Sequence, residues 1–367
     1  MSNILFVTWD GGGNVPPATA LAHELVRRGH DVRVLGHAPQ EEAMAAEGLR
    51  FVRPRHARPL ERYSPLTMMS VFGDRGMGRD LLDAVAAEPA DLVVVDSLMF
   101  GAMDAARRAG LTYAVLEHMY DAAYRRGILG GPMGLNLRLR RLAPRRALDA
   151  AALRLVATLA DLDPVSGTNV RQVGPVTPWS PRRDDAEPVV VLSLSTFGFP
   201  GMAEMLQRLV DATEGIDARV LVSTGPAIDP GAIRSRPGVE VHRWLSHADV
   251  LPAATLLVTH GGHGSTMTGL AHDVPLLVVP MDRLTDQPAV GRSVVAAGAG
   301  RMIGRRASVD EIRDALVALV ADGPHRAAAA RLGAAIRSTD AVRDGADALE
   351  ALVSNGAGQP GPRAARP

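Results

Sequence analysis

The residues of this chain whose types and spacing could do chemistry together lie in one stretch, LLVTHGGHGSTMTGLAHDVPLLVVPMDRLTDQ, residues 256–287. Gly261, Gly262 and Gly264 make a turn in which backbone can approach a ligand closely. Ser265 and Thr266 open a helix expected to run to about His272. A glycine-rich turn entering a helix leaves several N–H groups unpaired at the positive end of the helix dipole, which suits an anion, phosphate above all. His260 and His263 add side-chain donors on either side. Further on, Asp286 and Gln287 place a carboxylate beside an amide, a pair suited to hydroxyl groups. The stretch reads as one site, with diphosphate at the turn and a polyhydroxylated group at Asp286–Gln287. The plainer alternative is a strand–turn–helix whose glycines serve only packing. A second cluster, Gly11-Gly12-Gly13-Asn14-Val15-Pro16, lacks the third small residue of a dinucleotide-binding turn. No acidic residue ends the following strand to hold a ribose, so that function is excluded.

These residues need strands and helices to position them. Leu256–Thr259 and Pro275–Val279 are apolar runs of buried-strand type, and their carboxyl ends are where open α/β sheets bind ligands. Asn3–Trp9, Asp31–Leu35, Leu49–Val52, Asp91–Val95, Leu111–Leu116 and Leu153–Leu159 form an earlier strand series. Ala18, Leu21, Ala22 and Leu25 recur at helical spacing between the first two. Residues 56–80 read as a long loop leading into a helix, and the Arg-rich 120–150 segment as helical, with a basic amphipathic pattern over Arg126–Arg146. The alternation predicts α/β folding with doubly wound parallel sheets. The N-terminal domain is expected over 1–178, a linker over 179–187 and a second α/β domain over 188–340. A final helix over 341–353, packing back on the first domain, and a disordered tail over 354–367 complete the expectation.

Composition narrows the function classes. The 367 residues carry 40 Lys+Arg and 40 Asp+Glu, so no global charge draws the chain to nucleic acid. The absence of cysteine excludes disulfides and thiolate metal centres. MSNILFVTWDGGG reads as a first strand rather than a signal peptide, and no run approaches ~20 apolar residues. A cytoplasmic protein without integral membrane contact is expected.

Residues 243–301 carry a Trp-x-x-His step at Trp244 and His247, then His260-x-Gly262-x-Gly264-Ser265, then Asp286-Gln287. In this the chain resembles the GT-B glycosyltransferases of family 1, particularly the actinobacterial natural-product enzymes, over roughly residues 3–353. The resemblance implies two Rossmann-like domains with parallel sheets facing across a cleft. It implies that Trp244 stacks on the donor base and that His247 holds the base edge. His260, Gly262, Gly264, Ser265 and Thr266 would cradle the diphosphate, with Thr196 approaching it from LSLST. Asp286 and Gln287 would hold sugar hydroxyls. The reaction implied is inverting and metal-independent, with the nucleotide-sugar as co-substrate and no other cofactor. The partners are that donor and a small hydrophobic acceptor such as a polyketide, macrolide or aromatic, for a monomer or homodimer. A lipid-linked cell-envelope acceptor, or a non-catalytic nucleotide-sugar-binding role, are the alternatives.

Two departures from the family pattern matter. The ribose-clamping glutamate is replaced by Thr268, which favours a dTDP-linked donor over a UDP-linked one. The catalytic histidine is replaced by Asn14, whose neutral amide cannot accept a proton at useful pH. Asp96 stands where the family has the carboxylate that orients that histidine. Three readings remain open. Asp96 acts as the base, or Asp10 or His118 does, or an acidic acceptor needs only orientation by Asn14.

Overall fold

Runs of valine and leucine build the two sheets. The computed structural model describes residues 1–60, 65–183, 187–283, 285–321 and 323–356. The first sheet contains β1 (Asn3–Val7), β2 (Asp31–Leu35), β3 (Arg50–Val52), β4 (Leu92–Asp96), β5 (Tyr113–Glu117), β6 (Leu153–Val156) and β7 (Val170–Gln172). Its order is β3-β2-β1-β4-β5-β6-β7, with every pairing parallel. The second contains β8 (Val189–Ser193), β9 (Arg219–Ser223), β10 (Val239–His242), β11 (Leu256–Thr259), β12 (Leu276–Val278) and β13 (Gly300–Met302), in the parallel order β10-β9-β8-β11-β12-β13. Strands covered on both faces can be apolar at every position. β4, β5 and β11 are buried throughout and apolar except at their last residues, Asp96, Glu117 and Thr259.

Each sheet has a switch point where the strand order reverses, between β1 and β4 in the first and between β8 and β11 in the second. Ligands of open α/β sheets lie outside the carboxyl ends of strands at such points. Gly11–Asn14 and Asp96 occupy the first switch point; Thr196 and His260–Gly264 occupy the second.

Several elements differ from expectation. Residues 56–80 hold more helix than the prolines suggested, with Pro65–Phe72 and Arg75–Ala87 both helical, while residues 61–64 of that segment lie outside the described residues. Asp74 starts the second of these helices by accepting from Gly76 N at 2.9 Å. The Arg-rich segment is not one amphipathic helix. It breaks into Asp121–Ala123, Tyr124–Leu129, Pro132–Leu139 and Pro144–Asp149, with Arg141 at φ 59°. Pro132 and Pro144 each occupy a first turn, where the missing N–H costs least, so each restarts the chain in a new direction.

The chain crosses between domains twice. Residues 173–183 run from β7 toward β8 without regular secondary structure, and Leu159, Leu162 and Tyr120 of the first domain join the apolar core of the second. The return crossing follows the helix Pro324–Arg337, where Arg337 lies over the Trp179 ring at 5.3 Å. Gly174, at φ 89°, passes so close to Thr339 that a Cβ there would lie 2.6 Å from its hydroxyl. The last helix, Ala341–Gly356, rests on the first domain, burying Ala346 and Leu349 against the group containing Leu21 and Leu25. Residues 354–356, expected in a disordered tail, belong to this helix; residues 357–367 lie outside the described residues. Arg28 ties the helix down by contacts to Asp347 and Glu350 at 2.5 and 2.6 Å.

Candidate functional site

The glycine turn after β11 is held by tight packing. Gly261, at φ 87°, backs onto Val278 and Gln287, where a Cβ would lie 2.8 Å from the valine side chain. Gly262 is extended and stands at the N-cap of the helix His263–Ala271. The helix therefore starts two residues earlier than Ser265, because glycine at a first turn forfeits little of the helix it would weaken further in. His263 and Gly264 consequently present their N–H groups within the first turn, unpaired by the helix itself.

Three side-chain atoms around this turn are buried without a hydrogen-bond partner: His260 Nδ1, His263 Nε2 and Thr266 Oγ1. Gly264 is exposed, and a Cβ there would meet nothing within 4 Å. The turn thus combines a helix N-terminus, open space at Gly264 and three buried polar side-chain atoms without partners. Burial pushes the His260 imidazole down to about 4 and that of His263 down to about 3, the latter with help from the nearby His118 charge. Both rings are neutral near pH 7, and an arriving dianion would favour their protonated forms.

The other expected donor contacts come from three further segments of the second domain. Trp244 is 65% exposed, which is the state of a platform awaiting a partner and not of a core aromatic. His247 opens the short helix His247–Val250 and contacts Ser193 Oγ at the end of β8, 3.1 Å away. Thr196 is exposed, and a Cβ on Gly12 of the opposite domain would lie 3.5 Å from its hydroxyl. Asp286 stands at the N-cap of the helix Gln287–Ala296 without making a side-chain cap. Burial pushes its carboxyl up to about 6, opposed by the Tyr120 N–H and by His118. Gln287 has a second task, since its Oε1 accepts from Met281 N and Asp282 N at 2.9 and 3.0 Å. Only its NH2 end remains for a ligand.

Thr268 sits inside the helix with its hydroxyl 2.8 Å from Gly264 O and 2.7 Å from Thr177 Oγ1 in the interdomain crossing. Its side chain faces backbone and linker, so no ribose clamp comes from this position.

Across the cleft, Asn14 is 1% exposed, and all its polar atoms are engaged. Its Nδ2 lies 3.1 Å from Thr8 Oγ1, 2.8 Å from Trp9 O and 2.9 Å from Asp96 Oδ2, while Oδ1 accepts from Gly11 N at 2.9 Å. Asp96 is 3% exposed, and its Oδ1 accepts from Leu98 N at 2.8 Å. His118 Nε2 lies 3.2 Å from Asp96 Oδ2, although the angle is too poor for a formed hydrogen bond. Asp10 is half-buried, with its charge felt by His37. Of the four candidate catalytic residues, the structure thus brings Asn14, Asp96 and His118 together.

Sequence reasoning missed Tyr120. Its N–H reaches Asp286 Oδ2 at 3.4 Å, Ser293 Oγ contacts its hydroxyl at 3.1 Å, and its ring lies edge-on to His263 at 6.0 Å. It links the His118 segment of one domain to the donor residues of the other. Beneath it, Arg154 on β6 holds Glu117 at 2.6 and 2.9 Å and also bonds Asp121. Burial pushes Glu117 up to about 7, with Arg154 opposing. The signal for this pair was a charged residue in each of two otherwise apolar, adjacent strands.

Among the described residues, the group with metal-ligand spacing is His56, Asp80 and Asp83. Asp80 there accepts from the backbone N–H groups of Arg55, His56 and Ala57 at 2.8–3.1 Å, a turn-holding role. No described helix is long and apolar enough to cross a membrane.

Residues 207–352 match the erythromycin biosynthesis protein CIII-like C-terminal domain, and residues 12–173 match the glycosyl transferase 4-like domain. The 4′-demethylrebeccamycin synthase of Lentzea aerocolonigenes is 27% identical, covering 96% of this chain and 100% of its own. The crystal structure of the kitacinnamycin glycotransferase superposes with TM-score 0.80 at 24% identity, over 96% of this chain and 98% of its own. The glycosyltransferase VinC, solved in complex with dTDP, superposes with TM-score 0.72 at 19% identity, over 96% of this chain and 100% of its own.

Proposed function

Because this chain belongs to the GT-B glycosyltransferases of the natural-product type, we propose that it moves a sugar from a nucleoside-diphosphate donor, dTDP-linked in preference to UDP-linked, onto a hydrophobic acceptor with inversion. The observation that carries the reading is the turn at His260–Thr266, where three buried polar atoms lack partners beside open space at Gly264. Unpaired buried polar groups are costly, so a site that keeps three together is built for a ligand that pairs them. A diphosphate is that ligand. Trp244 offers the base a flat apolar face, and Asp286 offers the sugar a carboxylate.

The acceptor oxygen attacks the anomeric carbon from the face opposite the diphosphate. The bond from that carbon to the diphosphate oxygen breaks, and its electron pair leaves with the nucleotide. Helix N–H groups and the His260, His263 and Thr266 donors stabilise the charge that grows on the leaving group. This arrangement supplies the positive potential that a metal would otherwise provide. The dTDP preference rests on the inward turn of Thr268, which leaves that position without a grip on a 2′-hydroxyl, and on the dTDP bound in VinC.

Melting temperature with dTDP, UDP and inorganic diphosphate tests the donor side, since a native-state ligand raises stability by mass action. The expected order of shifts is dTDP, then UDP, then diphosphate. Product formation from dTDP-glucose and a phenol panel separates a transferase from a binding protein. Binding with no turnover and no donor hydrolysis would remove the transferase reading, while equal shifts for dTDP and UDP would remove the donor preference.

A further inference from the structure

The base that the sequence lacks at Asn14 has a replacement one strand away. β4 and β5 pair in parallel with Asp96 opposite Leu116, so the residues just past their ends are neighbours. His118 follows β5 and brings Nε2 to 3.2 Å from Asp96 Oδ2. Its side chain is 11% exposed, against 3% for Asp96, so the imidazole is the more accessible member of the pair. Asp96 has both oxygens engaged, by Asn14 Nδ2 and Leu98 N. Two residues beyond His118, Tyr120 touches Asp286 and His263 of the donor domain. The imidazole therefore lies between the buried carboxylate of one domain and the donor-binding side chains of the other.

We propose that His118, oriented by Asp96, is the general base that takes the acceptor's proton, and that Asp96 is a positioning residue. The inference rests on the glycosyltransferase reading given above. The Asp96 carboxylate 3.2 Å from Nε2 favours the tautomer with its proton on that nitrogen, which leaves the lone pair on Nδ1. As the acceptor oxygen bonds to the anomeric carbon, its proton passes to Nδ1, and the carbon–diphosphate bond breaks with its electrons leaving on the diphosphate. The imidazolium so formed is stabilised by Asp96 as in other histidine–carboxylate pairs. Asn14 holds the carboxylate in place from the other side, so the usual pair is kept with its histidine moved from the turn after β1 to the end of β5.

The titratable groups facing His118 are Asp96 from β4, Asp286 from the donor domain and the neutral His263. Burial disfavours the imidazolium, but Asp96, with Asp286 adding to it, outweighs burial and holds His118 above the ordinary imidazole value. Transfer requires the neutral ring, so its rate rises with pH through a midpoint above about 6.5. Removing the Asp96 charge moves that midpoint down.

The test uses the full chain with dTDP-glucose as donor and phenol and 4-nitrophenol as acceptors. His118→Gln is expected to lower kcat with phenol by about 10²–10⁴-fold, as loss of a general base does. With 4-nitrophenol, which gives up its proton readily, the loss is expected to stay below about tenfold on the same reasoning. The dTDP-induced melting shift is expected to be unchanged. An equal loss with both acceptors, or turnover within a few-fold of wild type, would overturn the proposal while leaving the transferase reading intact. Independently of turnover, NMR titration of the His118 ring in wild type and in Asp96→Asn reads the pair directly. A midpoint that falls in the variant supports the proposal, and one that does not move overturns it. Failure of wild type to bind dTDP would instead count against the donor reading.

Discussion

Two glycine-rich turns face each other across this molecule, and they do opposite things. Each follows a strand at the switch point of its sheet and each leads into a helix, Val15–Arg27 in the first domain and His263–Ala271 in the second. In the first turn nearly every polar group is paired. Asn14 ties together Thr8, Trp9, Gly11 and Asp96, and Pro16 and Pro17 remove two N–H groups from the helix start. A Cβ on Gly11 would lie 2.5 Å from the Trp9 ring, so the start of this turn is filled by its own domain, while Gly12 and Gly13 are exposed. In the second turn no proline intervenes, three side-chain atoms are orphaned, and Gly264 borders open space. Glycine content alone does not make an anion site. What separates the two is whether the N–H groups and their flanking side chains are already answered.

The contrast breaks first at Gly264. Its φ is not in the left-handed region and nothing crowds its α-carbon, so Gly264→Leu is expected to leave the melting temperature nearly unchanged. The leucine side chain would occupy the space assigned to diphosphate. Affinity for dTDP measured by calorimetry is expected to fall by about 10²-fold or more, the scale of losing preorganised donors to a charged group. A variant that binds dTDP as tightly as wild type would show that the open space is not the phosphate site.

At Asn14 the opposite pattern is expected, because its role is internal. Asn14→Ala strands Gly11 N and removes a donor from Asp96 in a site that is almost wholly buried. The expected cost is about 2–3 kcal/mol in denaturant unfolding, from buried groups left without partners. dTDP affinity of the folded protein is expected to hold within about twofold, well under the ~1.4 kcal/mol of a tenfold change. A variant of wild-type stability would mean that the Asn14 hydrogen bonds do not hold the turn.

The unequal legibility of the two turns follows from how local their physics is. The donor turn could be read because a strand, a glycine turn, a helix start and a carboxylate–amide pair lie within about thirty consecutive residues. The two parallel sheets were equally legible from apolar runs. The pairing of His118 with Asp96 was not legible, because it depends on β4 and β5 lying side by side and ending in step. Tyr120 escaped for the same reason, since its partners Asp286 and Ser293 lie more than 160 residues away in sequence. The broken 120–150 segment was misread because its leucine–arginine pattern continues across two prolines that restart the helix, leaving Leu135 and Leu139 52% and 75% exposed.

Thr268 gives the smallest expected effect and the finest discrimination. From sequence it stood out as a position lacking a ribose clamp; in the structure its hydroxyl links the donor helix to the interdomain crossing through Thr177. Thr268→Val keeps the branched shape and removes both hydrogen bonds. Thr177 retains solvent access, so the cost is expected to be about 1 kcal/mol, near the net worth of a hydrogen bond in water. The ratio of dTDP to UDP affinity is expected to stay within about twofold, because valine reads the ribose no worse than a hydroxyl that is turned away. A ratio shifted by several-fold would place the Thr268 side chain against the nucleotide after all. The donor preference would then belong to this helix residue and not to the absence of a clamp.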